Sequence, residues 1–299
     1  MNGWIIYNGA LRIKKNEKLV KKLKNDGQHM GIGLKLIKNN EIIPLYNNKG
    51  QLGLEGLNSN NKPDFIIFWD KDTYLAKHLE MMGYLVFNSS ESIKNCDNKA
   101  LMHLELGNSG IPMPRTMVSP FVYQDQNLKE EYYKKCFEYL GPTIILKETY
   151  GSFGMQVYKI ETIEALKSKI DTLSNKQFIM QEAIRSSFGR DIRVNIIGDE
   201  VIGAMQRQSQ GDFRANITLG GKASPWELSD NQRNVALKAH KALGLDFSGV
   251  DLLLDADDQP LLCEVNSNVN FLSFEVATGI NYGEKILEYI KEKIKSITH

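Results

Sequence analysis

The sequence predicts an α/β protein with β-rich α+β lobes, and three observations carry that reading. Up to about residue 95, short apolar runs alternate with amphipathic stretches of helical length, the pattern of a small parallel sheet with crossover helices. Beyond that point apolar runs come in pairs joined by brief polar turns, which is how antiparallel hairpins read. The chain of 299 residues is 42% hydrophobic and 24% charged, ordinary for a soluble globular protein and long enough for one large domain or two to three small ones.

Charge and cysteine content exclude several classes. A formal charge of +1 offers no electrostatic footprint for nucleic acid. Cys96, Cys136 and Cys263 fit neither metal spacing nor an even disulfide framework and read as reduced thiols. The N-terminus enters Trp4-Ile5-Ile6-Tyr7 without a basic leader, and no run approaches transmembrane length, so a cytoplasmic protein without membrane partners is expected. The patch Asn58 to Asn61 reads as a surface loop.

In the first unit, residues 1–95, the expected elements are a strand at Trp4 to Tyr7, a basic helix near Lys14 to Leu23 and a strand near Ile32 to Ile37. A buried strand at Asp64 to Trp69, a helix from about Asp72 to Met82 and a strand at Tyr84 to Phe87 follow. Neither a dinucleotide glycine fingerprint nor a phosphate-loop motif is present, so this unit is expected to frame a substrate. The lysines of its first helix, Lys14 to Lys24, read as a solvated face.

A second unit, 96–180, opens where Asp97 can cap a helix running to about Leu106, ended by Gly110-Ile111-Pro112. Lys99 opposes the dipole of that first turn, which points to a role outside the helix. The strand Pro142 to Lys147 runs into Glu148-Thr149-Tyr150-Gly151-Ser152-Phe153-Gly154-Met155-Gln156. Glycines after a strand let backbone N–H groups approach phosphate oxygens, and Lys147 adds a point charge; a plain hairpin explains the same glycines. A helix near Glu161 to Leu173 and a strand at Phe178 to Ile184 complete this stretch.

The third unit, 181–299, holds the hairpin Ile192 to Ile197 and Val201 to Gln206 and a helix opened by the capping box Ser229-Asp230-Asn231-Gln232 and closed at Gly244. Arg193, Arg207 and Arg214 can grip carboxylate or phosphate in a planar fork, or serve as surface ion pairs. The unit then reaches its most informative stretch, Ser248 to Asn270. An even turn centred on Asp257 and Asp258 sets Asp255 opposite Pro260, Leu253 opposite Leu262 and Asp251 opposite Glu264; an odd loop breaks that register. Facing carboxylates repel, so both stay ionised only with a cation between them. Asn266 returns to the same face. Asp, Glu and Asn oxygens are hard ligands suited to Mg²⁺ with a nucleotide, although acids on a solvated face remain the alternative.

Together Gln181-Glu182, Gly189-Arg190-Asp191-Ile192-Arg193, Gly211 to Asn216, Gly220-Gly221, Gly249-Val250-Asp251, Glu264-Val265-Asn266 and Thr278-Gly279 resemble the ATP-grasp carboxylate–amine ligases. The likeness is to the RimK-like branch, which joins amino acids to a carboxylate on a peptide, protein tail or coenzyme. It covers about Asn95 to Lys291 and implies an ATP-grasp fold preceded by a small Rossmann-like parallel-sheet domain. It implies ATP held by Lys99, Lys147, the loop with Gly151, Ser152 and Gly154, Glu182 and Ala183 at the adenine edge, and Asp191 at the ribose. Asp251, Glu264 and Asn266 would hold two Mg²⁺ ions, with Mn²⁺ a substitute. Arg193, Arg207, Arg214 and Asn216 would be catalytic, stabilising an acylphosphate and its oxyanion, with Arg214 and Asn216 also touching the nucleotide.

Two departures from the family pattern stand out. Gln156 occupies a place where relatives commonly carry a third glycine. After Asn266 the chain reads Ser267-Asn268-Val269-Asn270-Phe271 rather than the Pro-Gly continuation of the member that modifies a ribosomal tail. The expected partners are therefore an amino acid, glutamate being family-typical, and a small-molecule or peptide carboxylate, with a protein C-terminus as the second reading and a non-catalytic ATP-binding protein as the third. Relatives often form homo-oligomers.

Overall fold

The structure, a computed structural model, describes residues 1–11, 14–57, 62–123, 128–151, 154–209, 211–215 and 221–298. The first sheet takes β1 (Asn2–Tyr7), β2 (Gly33–Lys38), β5 (Phe65–Trp69) and β6 (Val86–Phe87) in the order β2-β1-β5-β6, all parallel. Helices α1 (Lys14–His29) and α2 (Thr73–Met81) make the crossovers, and Asp72 caps α2 by accepting from Leu75 N at 3.0 Å. The basic helix runs farther than its lysine pattern predicted. Its Lys22 is not solvated but pairs with Asp26 at 2.7 Å and Glu275 at 2.9 Å. The side chains of Lys14 and Lys15, and residues 58–61, lie outside the described set. A hairpin of β3 (Ile43–Tyr46) and β4 (Leu52–Glu55), which the sequence reading missed, precedes β5.

Two helices, α3 (Ser90–Asp97) and α4 (Lys99–Glu105), lead into the second sheet. The cap of α4 is Asn98 rather than Asp97: Asn98 Oδ1 accepts from Ala100 N and Leu101 N, while Asp97 closes the preceding helix. The second sheet has the order β7-β10-β8-β9, from β7 (Thr116–Val118), β8 (Ile144–Glu148), β9 (Val157–Ile160) and β10 (Phe178–Glu182), covered by α5 (Glu130–Leu140) and α6 (Ile163–Asp171). Strand β10 runs past residue 180, where the sequence put the start of the third unit.

The third sheet, β13-β12-β11-β14-β15, is antiparallel throughout. Its strands are β11 (Arg190–Ile197), β12 (Glu200–Gln208), β13 (Lys222–Pro225), β14 (Phe247–Leu254) and β15 (Pro260–Asn266); α7 (Asp230–Ala242) packs on it, opened by the expected Ser229/Gln232 capping box. Helices α8 (Leu272–Thr278) and α9 (Tyr282–Thr298) return the chain to the first sheet.

Hydrophobic packing joins the first and third sheets. Ile5, Leu23 and Phe65 of the first unit share one core with Phe247, Phe271, Tyr282 and Ile286. Asn88, fully buried, accepts from the Asp246 and Phe247 amides and donates to the Phe247 and Ser267 carbonyls, so all its polar capacity crosses that junction. The second sheet has its own core, including Tyr133, Leu146, Leu166 and Phe178. Among the described residues no helix is long and apolar enough to cross a membrane.

Candidate active site

Asp251 pairs with Glu264 across β14 and β15, and Gly249 with Asn266. The reason differs from the expected one. The connection from Asp255 to Gln259 is odd, with Asp258 at φ 56°, and it pairs Leu252 with Leu262 and Leu253 with Leu261 instead of Leu253 with Leu262. Cys263 is then an extra residue on β15, and this bulge restores the facing of Asp251 and Glu264. The bulged Cys263 sulfur receives a long contact from Lys147 Nζ at 3.6 Å.

The cations that face these acids are side chains. Arg193, opposite Asp251 on β11, grips its carboxylate with two prongs, Nη2 to Oδ2 at 2.7 Å and Nε to Oδ1. Arg207 Nη2 reaches Asp251 Oδ2 at 2.9 Å and clasps Asp191 through Nε and Nη2 at 2.6 and 2.5 Å. Burial works to raise the Asp251 carboxyl, but the two guanidiniums overcome it and hold it below the ordinary carboxylate value. Gly249 makes room for this arrangement, since a Cβ there would stand 2.8 Å from Arg193 Cδ and 2.6 Å from Val269 Cγ2. Glu264 faces Lys99, Nζ to Oε1 at 3.8 Å, which gives the lysine that opposes its own helix dipole a partner elsewhere.

These groups line a cavity of about 290 Å³ where the second and third sheets meet the end of β5. Of the sequence candidates, Lys99, Lys147, Gly151, Gly154, Glu182, Asp191, Arg193, Arg207, Arg214, Asp251, Glu264 and Asn266 line it. Ala183 does not; its N–H goes to the Thr143 carbonyl at 3.3 Å. Ser152 and Asn216 lie outside the described residues. The Glu182 carboxylate is held by Arg115, from both its backbone N and Nε at 2.8 Å. Arg214 bonds Asp212 and, from the other side of the cavity, the Gly154 carbonyl between β8 and β9. The Gln156 side chain covers Gly151, where a Cβ would meet Oε1 at 2.8 Å.

Lys71, Arg190, Cys263, Asn268 and Asn270 also line the cavity and were not found from the sequence. Lys71 carried a usable signal, because it follows a parallel strand at the carboxyl edge where α/β folds place ligands. Seven basic side chains, Lys71, Lys99, Lys147, Arg190, Arg193, Arg207 and Arg214, face four carboxylates, Glu182, Asp191, Asp251 and Glu264, so the cavity favours a polyanion.

Residues 96–290 match the RimK-like ATP-grasp domain. The chain belongs to this family. It is 33% identical over 225 residues to a probable alpha-L-glutamate ligase of Trichodesmium erythraeum, covering 74% of this chain and 73% of that one. It is 34% identical over 224 residues to human N-acetylaspartylglutamate synthase A, covering 74% of this chain and 56% of that protein. A D-alanine–D-alanine ligase of Bacillus anthracis, solved in complex with ATP, shares the fold with a TM-score of 0.76 at 17% identity over 99% of this chain and 98% of its own. This RimK-like protein is thus an ATP-dependent ligase with an ATP-grasp fold.

The donor set fits the magnesium nucleotide on which ATP-grasp chemistry depends. Asp251 and Glu264 supply hard carboxylate oxygens on one face, beside Asn266, whose Nδ2 lies 3.4 Å from Asp251 Oδ2. The arginine clasp shows what a metal on Asp251 competes with.

Proposed function

We propose that this ligase joins an amino acid, glutamate being the leading candidate, to the carboxylate of a small molecule or peptide through an acylphosphate, with release of ADP. The observation that carries the reading is the facing Asp251/Glu264 pair set between Arg193 and Arg207 on one side and Lys99 and Lys147 on the other, in one cavity. The names of the relatives support glutamate and an N-acylated acidic acceptor.

In this reading Asp251, Glu264 and Asn266 would hold Mg²⁺, which neutralises charge on the phosphoryl group when bound. Lys99 and Lys147 bind phosphate oxygens, with Gly151 and Gly154 beside them and Gly154 bonded by Arg214. Arg193 and Arg207 turn their forks to the acylphosphate and to the oxyanion formed when the amine attacks. The substrate carboxylate oxygen bonds the γ-phosphorus as the bond to ADP breaks; the amine nitrogen then bonds the acyl carbon, phosphate leaves, and the ammonium proton passes to solvent or phosphate. No protein nucleophile is needed, because positioning and charge supply the catalysis.

The test is ADP formation by purified protein with Mg²⁺ and ATP, across single amino acids with N-acetyl-L-aspartate, short acidic peptides or deproteinised extract, followed by product mass. ADP formation that requires both an amino acid and a small carboxylate supports the proposal. Dependence on added protein moves the acceptor to a polypeptide tail, and nucleotide binding without turnover in any mixture overturns it.

A further inference from the structure

Lys71 enters the cavity from the first unit, two residues beyond the end of β5, and its side chain is 42% exposed. Among the described residues its ammonium has one ion pair, with Asp97 Oδ1 at 2.8 Å, and the charge of Glu264 acts on it from farther off; Asp97 Oδ2 is buried without a hydrogen bond. An ammonium has three N–H donors, so two remain for something in the cavity. Asn268 and Asn270 line the same cavity. Asn268 Nδ2 is spent on the Asp70 carbonyl at 2.6 Å, which leaves its Oδ1 buried and unbonded. Asn270 Oδ1 caps the Leu272 amide, so its Nδ2 is the end that can meet a ligand.

A cationic donor, an amide donor and an orphaned carbonyl acceptor are complementary to a carboxylate with an adjacent N–H. Lys71 is also held at a fixed place relative to Asp251 and Glu264, because the first and third sheets share one core and Asn88 ties them together. Lys99 and Lys147 come from α4 and β8 and contact Glu264 and Cys263, and the charge of Glu264 also acts on Lys71.

Resting on the ligase reading above, we propose that Lys71 is a specificity-determining residue that receives a substrate carboxylate, with Asn268 and Asn270 completing the subsite and Asp97 positioning the ammonium. The carboxylate can come from the incoming amino acid or from a second acidic group on the acceptor.

The experiment measures ADP formation with L-glutamate and N-acetyl-L-aspartate, or whichever acid pair the wild-type protein turns over, varying ATP and each acid separately. Lys71→Gln should raise KM for one of the two acids by about 10- to 100-fold, the loss of a charge-assisted hydrogen bond. KM for ATP should be unchanged, kcat should hold within about threefold, and Lys71→Arg should restore most of the loss. Which acid shows the rise identifies the source of the carboxylate. Because Lys71→Gln also strands Asp97, the double variant Lys71→Gln/Asp97→Asn is measured beside it and should show the same KM rise. Unaltered KM for both acids, or a rise confined to ATP, overturns the assignment of Lys71 while leaving the ligase reading intact. A wild-type protein that forms no ADP with any acid pair overturns the ligase reading, and this inference falls with it.

Discussion

Arg193 sits directly opposite Asp251 across β11 and β14 and closes a two-pronged ion pair on a carboxylate that is 6% exposed. Glu264 continues the same rung on β15, and Arg207 reaches Asp251 from β12. A row of two carboxylates followed by two guanidiniums thus crosses four strands at the cavity.

Removing one member of that row leaves a buried charge without its main partner. Arg193→Met should destabilise the fold by about 3 kcal/mol, the low end for a broken buried pair because Arg207 still touches Asp251. Arg193→Met/Asp251→Leu should cost less than the sum of the single changes. A double-mutant cycle by urea unfolding checks this, and strict additivity would refute the coupling.

Gly249→Ala should damage the site more than its one methyl suggests. The new Cβ would meet Arg193 Cδ at 2.8 Å and Val269 Cγ2 at 2.6 Å, on the strand that carries Asp251. Overpacking of this kind costs about 1–3 kcal/mol. The displaced guanidinium should lower ADP formation at temperatures where the variant is still folded, as judged by thermal unfolding followed by circular dichroism.

How far the site was legible follows from which residues act locally. The facing of Asp251 and Glu264 could be read from two apolar runs and a turn, yet the expected even loop was an odd one corrected by a bulge at Cys263, and no local pattern announces a bulge. The helices around residue 97 were misjudged by one cap, because Asp97 and Asn98 are both good caps in sequence and only the break between α3 and α4 chooses Asn98. Short strands such as β7 and β13, with exposed or half-buried patterns, carry little periodic signal. Lys71 and Asn268 come together only because two units share a core, a fact that lies in tertiary packing.

Asp251→Asn should bring substrate-dependent ADP formation to background while the protein stays folded. The amide keeps the size of the carboxylate but removes the charge a hard cation requires, and it weakens the clasp of Arg193 and Arg207. Wild-type protein stripped with a chelator should lose the same activity and regain it with Mg²⁺. Full turnover by the variant, at any Mg²⁺ concentration, would rule out Asp251 as a metal ligand.

Two histidines should make stability fall as the solution is acidified through the range above the carboxylates. His240 is 1% exposed with Nδ1 on Ser248 Oγ at 2.7 Å, and burial pushes it down from 6.5 to about 4. His103, whose Nε2 faces the Gln181 amide nitrogen at 3.1 Å, is pushed down from 6.5 to about 4 by burial and then by the charge of Lys147. A folded value below the unfolded one means the unfolded chain binds the proton first. Their contribution is therefore complete above pH 6.5 and is lost as pH falls toward 4, at up to about 1.4 kcal/mol per pH unit for each. Urea midpoints measured at intervals across that window should decline, and His240→Gln, which cannot be protonated, should flatten the decline; an equal slope in the variant would place the titration elsewhere.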